Sequence, residues 1–298
     1  MKTRSPLSLI IVLSVLPLVL GIGACSEQKD SNREVVTGNA ASADGVNIAY
    51  EVRGQGDPAL VFVHCWCCDK NYWSNQIEEF SKNYKVVTID LAGHGNSGMG
   101  RQKYTLEAFG DDVVAVADKE KLNSMVLIGH SMGGSVIVKA AGKLAQRVKA
   151  LVGVDCYNDL GQTFTKEQLE AFIAPFRNDF EGTTRTFVGG MFAPQADSSL
   201  IARIVDDMAS GPAAVGVGAF ENLFDYLFTG QIIDDIRTLQ LPVYSINSDQ
   251  QPTNIEIWKD LVPTHDVKII EGAGHFVQLE KPVEFNAALM AIVAGLRE

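Results

Sequence analysis

The chain has 298 residues, 46% hydrophobic and 20% charged, which is enough apolar matter for a large core and excludes a disordered chain. Its formal charge of −11 comes without the clustered Lys and Arg that phosphates require, so nucleic acid is excluded as a partner. A length of this order suits an α/β fold built as one unit.

Lys2 and Arg4 precede an apolar run over residues 7–22, then small residues and Cys25, which is the layout of a secretory signal. Ile22-Gly-Ala-Cys25 resembles a bacterial lipobox. Residues 1–24 are therefore expected to be a lipoprotein signal peptide and Cys25 the lipidated first residue. The product would be exported to the bacterial cell envelope and held to a membrane by lipid, at the outer membrane or the periplasmic face. The alternative, an uncleaved anchor, has Pro17 inside a run shorter than the roughly 20 residues a span needs. Residues 25–34 are polar and featureless, as in a flexible tether.

Residues 35–37 and 46–52 alternate as strands around Asp44-Gly45, predicting a hairpin at a sheet edge. Continuous apolar runs at 59–63, 85–89, 125–128, 148–154, 241–246 and 267–270 read as strands buried on both faces. Helical patterns fall between them, at 75–80, at 105–121 with Thr105 as N-cap, and at 283–296. This alternation predicts a mostly parallel sheet covered by helices on both faces. From 157 to 238 the alternation stops, and a mostly helical, Phe-rich segment suggests a lid inserted between the sixth and seventh strands. The hydrolase core would then comprise 35–156 and 239–298.

Gly129-His-Ser-Met-Gly133 stands where the fifth strand turns into a helix. Small residues on both sides of Ser131 let strand and helix pack closely and push the hydroxyl out at the carboxyl end of the sheet. The Met132 N–H then heads a helix and points toward any oxyanion forming there. Asp249 and His275 end two later strands, and ligands of open parallel sheets bind at that edge, so Ser131, Asp249 and His275 converge. Asp155 also ends a strand and is the alternative acid.

Serine, acid, histidine is the chain order of the α/β-hydrolase triad. The sequence resembles that superfamily, in its lid-bearing group of esterases, lactonases and related hydrolases. The motifs are Val63-His-Cys-Trp66, Asp90-Leu-Ala-Gly-His-Gly-Asn-Ser97, Gly129-His-Ser-Met-Gly133, Asn247-Ser-Asp249 and Gly272-Ala-Gly-His275. The resemblance implies a serine hydrolase that cleaves carboxylic esters or lactones through an acyl-enzyme, without cofactor or metal. In it His275 is the general base, Asp249 orients the imidazole, and the Met132 and Trp66 N–H groups form the oxyanion hole. Epoxide hydrolases and dehalogenases of the superfamily attack with aspartate where Ser131 stands. The alternatives are an amide-cleaving relative and a receptor that uses the same pocket to hold a ligand.

The family usually has glycine where this chain has Cys65, which reshapes the oxyanion loop and brings a thiol near the chemistry; as nucleophile it lacks the elbow that Ser131 has. With Cys25 lipidated, Cys65, Cys67, Cys68 and Cys156 can pair in an oxidising compartment, in a connectivity the sequence does not set. Zinc at Cys65-Trp-Cys-Cys68 beside His64 is the alternative, but no second ligand pair follows. Of the other histidines, His94 is expected to brace its loop, His64 to orient the oxyanion loop, His130 to pack at the cleft floor and His265 to sit in solvent. Tyr72 and Trp73 line the pocket or the core.

Overall fold

The structure, a computed structural model, describes residues 35–162 and 164–296. The expectations for the leader, Cys25 and the tether lie outside the described residues. Among the described residues, eight strands form one sheet: β1 (Val36–Ala41), β2 (Asn47–Arg53), β3 (Ala59–Val63), β4 (Val86–Ile89), β5 (Met125–His130), β6 (Val148–Val154), β7 (Val243–Ser248) and β8 (Asp266–Ile270). Their order is β1-β2-β4-β3-β5-β6-β7-β8, with β2 antiparallel to both of its neighbours, β1 and β4, and all the other neighbours parallel. The edge hairpin turns at Gly45, whose φ of 83° suits a residue without a side chain.

Alternate side chains of β3 and β5 go to opposite faces, because the strand period is two. Leu60, Phe62, Val126 and Ile128 pack with α1 (Ser74–Phe80) and α11 (Pro282–Gly295). Val61, Val63, Met125 and Leu127 pack with α2 (Leu106–Lys119) and α3 (Met132–Leu144). Thr105 caps α2 through its side chain, which accepts from the Ala108 N–H. The chain steps from β3 outward to β4, then returns to the other side of β3 as β5. That reversal opens a crevice at the carboxyl ends of β3 and β5.

Among the described residues, five helices lie between β6 and β7: α4 (Lys166–Asn178), α5 (Phe180–Gly189), α6 (Ser198–Ala209), α7 (Ala213–Phe228) and α8 (Gln231–Leu239). Phe172, Phe176, Phe187, Phe220 and Phe224 meet one another edge-to-face or tilted within this insertion. Two shorter helices, α9 (Ile255–Leu261) and α10 (Val277–Glu280), follow β7 and β8 and have no counterpart in the sequence reading.

The structure decides one aromatic alternative and corrects one expectation. Trp73 is fully buried against Phe62 in the core. His265 is not solvated surface: it stacks on Trp258 with ring centres 4.0 Å apart, and its Nε2 lies 2.9 Å from the Ser245 hydroxyl. Burial pulls its pKa down to about 4.

Candidate active site

Ser131 is the residue between β5 and α3, with φ 54° and ψ −118°, a conformation costing an L-residue about 1–3 kcal/mol. The surroundings hold it there. Its N–H donates to the Val154 carbonyl, and its own carbonyl accepts from the Gly134 N–H. A side chain at Gly129 would meet the Gly133 carbonyl at 2.3 Å, and one at Gly133 would meet the Val63 carbonyl at 2.5 Å. Glycine is therefore required on both sides, and α3 lies directly against the end of β3.

His275 follows β8 in a loop, and its Nδ1 donates to the Asp155 carboxylate at 2.7 Å. Asp155 caps β6, is 8% exposed, and has φ 47°. Its other oxygen accepts the Ser248 N–H at 2.8 Å. Burial pushes the Asp155 carboxyl up, but the bond to His275, the charge of that ring and the Ser248 N–H outweigh it and leave the carboxyl below the usual aspartate range. The acid on the imidazole is thus Asp155, and the expectation of Asp249 is corrected. β7 runs two residues further than its apolar pattern, to Ser248, and Asp249 lies exposed beyond it with Oδ1 on the Gly272 N–H.

Ser131, His275, Asp155, Met132 and Trp66 all border one cavity of about 380 Å³. Its wall on the insertion side is apolar, from Phe187, Met191, Met208, Phe220, Leu223, Phe224 and Leu227; Asn158, Asp159, Gln162 and Gln251 supply the polar groups. Trp66 reaches out of the loop after β3 into the insertion. Its indole N–H donates to the Gly216 carbonyl at 2.8 Å and its ring stacks on Phe220 at 3.7 Å.

The other sulfur and imidazole groups take structural places. Cys65 and Cys68 form a disulfide, which removes Cys65 as nucleophile. Cys67 and Cys156 are free thiols, and burial pushes both well above the usual thiol range. The zinc alternative loses its donors. Two of its sulfurs are joined, while His64 donates from Nδ1 to the Cys65 carbonyl and accepts the Leu91 N–H on Nε2. His94 braces its loop as expected, with Nδ1 on the Ala92 carbonyl. Asp90 fixes that loop to the segment after the disulfide, accepting from the Lys70 N–H, the Lys70 ammonium and the Asn96 N–H.

Sequence reasoning missed the support behind His275. His130, fully buried beside Ser131, donates from Nε2 to the His275 carbonyl, and its Nδ1 accepts from the Gln278 amide. Burial and the nearby His275 bring the His130 pKa down to about 3, so the ring stays neutral and keeps this one tautomer. Glu280 accepts the N–H groups of Gly274 and Phe276, on either side of His275, and that of Ala193 in the insertion. A histidine inside the elbow motif was the sequence signal for the first; Glu280 gave none, because its partners are backbone.

Comparison with known proteins bears on the fold. The sequence profile described as alpha/beta hydrolase fold matches residues 58–282. A dihydrolipoyllysine-residue acetyltransferase component of an acetoin cleaving system from Cupriavidus necator is 26% identical over 86% of this chain and 68% of its own length. The chain spans 65% of the corresponding Pseudomonas putida component. The 3-oxoadipate enol-lactonase 2 of Acinetobacter baylyi is 24% identical over 85% of this chain and 95% of its own. Among solved structures, Est816, described as an N-acyl homoserine lactone degrading enzyme, is 27% identical with a TM-score of 0.73, over 85% of this chain and 99% of its own.

Proposed function

The chain belongs to the alpha/beta hydrolase fold family, and we propose that within it the protein is a serine hydrolase that cleaves carboxylic esters, lactones included, through an acyl-enzyme. The observation that carries this reading is the buried Asp155 carboxylate on His275 Nδ1, at the wall of the cavity that Ser131 also borders. With Nδ1 so engaged, Nε2 is the nitrogen left to take the Ser131 proton as the hydroxyl attacks an acyl carbon. The imidazolium that forms is stabilised by Asp155 and returns the proton to the leaving alcohol. The Met132 and Trp66 N–H groups receive the oxyanion. Water then attacks the acyl-enzyme with the same imidazole as base, releasing acid and free serine.

The apolar wall supports an acyl group of hydrocarbon character, and the Asn158, Asp159, Gln162 and Gln251 side supports a polar alcohol or lactone ring. Relatives described as an enol-lactonase and as an N-acyl homoserine lactone degrading enzyme support the cyclic ester. Ser131→Ala is expected to abolish turnover of short p-nitrophenyl esters and covalent capture of a fluorophosphonate, with circular dichroism unchanged. Retained turnover refutes the assignment, and an unlabelled serine in a wild-type chain that still binds a lactone tightly favours a receptor.

The Lys2/Arg4 leader and Cys25 support an exported lipoprotein, in which the hydrolase acts from a membrane surface in the cell envelope. The wild-type chain should then fractionate with membranes and Cys25→Ser should not.

A further inference from the structure

The loop after β3 has an unusual construction. Cys65 and Cys68 close a small ring around Trp66 and Cys67, with their Cα atoms 5.4 Å apart, and the Cys68 N–H donates to the Cys65 carbonyl inside it. The residue held in that ring is Trp66, whose backbone N–H is the second oxyanion donor in the reading above. Its side chain is fixed at the far end, by the Gly216 carbonyl and Phe220. A single residue is thus clamped at the backbone by a covalent bridge and at the ring by α7. Position 65 gains from this, since a side chain there replaces the glycine that the resemblance leads one to expect, and the bridge restricts a loop that has lost its smallest residue.

We propose that the Cys65–Cys68 disulfide is a latch on the oxyanion hole, and that a small dithiol switches the hydrolase down by opening it. The inference rests on the serine-hydrolase reading. In the opening step a thiolate of the dithiol attacks one sulfur of the pair, forming a mixed disulfide and releasing one cysteine thiolate. The second thiol of the reagent then closes its own disulfide and releases the other cysteine. Two electrons pass from the reagent to the pair, and two protons end on Cys65 and Cys68. Freed of the bridge, Trp66 keeps its ring contacts, but its N–H is no longer fixed against Ser131.

Two observations give the latch a defined access and a defined partner. Both sulfur residues are buried, at 2% and 3% exposure, yet Cys65 borders the substrate cavity, so a reductant reaches the bridge through the space a substrate fills. The neighbouring Cys67 does not border that cavity. A side chain on Gly216 would come within 3.0 Å of its Sγ, and burial with Asp207 nearby keeps it a thiol, which is a poor attacker.

The test uses the full chain. Alkylation in denaturant without reductant should modify Cys67 and Cys156 but spare Cys65 and Cys68; modification of all four means there is no latch. Complete reduction with dithiothreitol should lower kcat for a p-nitrophenyl ester by about 100-fold, the cost of one oxyanion donor, with KM little changed. Reoxidation should restore it, and the Cys65→Ser/Cys68→Ser double variant should sit at the reduced level and ignore dithiothreitol. A fluorophosphonate adduct on Ser131 should slow the reduction; an equal rate overturns the cavity route. Unchanged kcat after complete reduction, or a fall that tracks loss of folded protein by circular dichroism, overturns the latch. If the oxidised chain hydrolyses no ester, the parent reading fails; if it does and reduction leaves the rate alone, only the latch fails.

Discussion

At the scale of single residues, the choice of acid turns on two strand ends. Asp155 and Asp249 each follow an apolar run, and the sequence places both at the same edge of the sheet. What separates them is where β7 stops. Its pattern ends at 246, but the ladder to β8 continues through Ser248. The Ser248 N–H then serves Asp155, while Asp249 is carried past the site to the Gly272 N–H. Backbone pairing of this kind leaves no trace in hydrophobic periodicity, whereas Ser131 and its glycines were legible because steric limits dictate them. Replacing Asp155 by Asn should lower kcat by about 10,000-fold through loss of the required imidazole tautomer, whereas Asp249→Asn should change it only a few-fold. Steady-state kinetics of the two variants decides between them, and the opposite ranking would return the role to Asp249.

At the scale of elements, the strands were readable because burial on both faces writes them as apolar runs; β3 and β6 fall within the predicted limits. The insertion was readable only as helical. Some of its helices are capped, with a Thr165–Gln168 capping box on α4 and Asp197 on α6, but its aromatic residues serve contacts to other helices and obscure the period of each. Its attachment to the core around His275 was not legible, since each contact there has a backbone group on at least one side. The His275 N–H donates to the Met191 carbonyl, and the Gln195 amide donates to the Gly272 carbonyl. A side chain at Gly274 would strike Met191 and Ala193 backbone atoms at 2.5 Å. Glu280 joins the same two segments. Glu280→Gln should therefore cost about 1 kcal/mol in urea unfolding, because an amide presents one acceptor oxygen to three donors and the site is partly exposed. It should also lower kcat more than it raises KM; loss of stability with unchanged kinetics would limit Glu280 to a structural tie.

At the scale of the whole molecule, buried histidines set the response to acid. Desolvation holds His94 and His130 at about 3 and His265 at about 4, and lowers His64, all against an ordinary value of 6.5. Between those limits the unfolded chain binds protons that the folded one refuses, so stability rises with pH across the window and falls as pH drops below about 6.5. Each such group contributes a slope of up to about 1.4 kcal/mol per pH unit. Melting temperature should therefore decline from pH 6.5 downward, well before the carboxylates titrate, and a flat profile to pH 5 would contradict the buried neutral rings. The strand ends that carry the site are built without tolerance: a Cβ added at Gly129, Gly133, Gly134 or Gly153 would come within 2.5 Å of a neighbouring atom. The opposite side is flexible hydrocarbon, from Met191, Met208 and Leu227. Directed evolution toward new esters accordingly has one surface to work on: libraries randomised in the roof yield altered selectivity, and those randomised in the floor yield inactive clones.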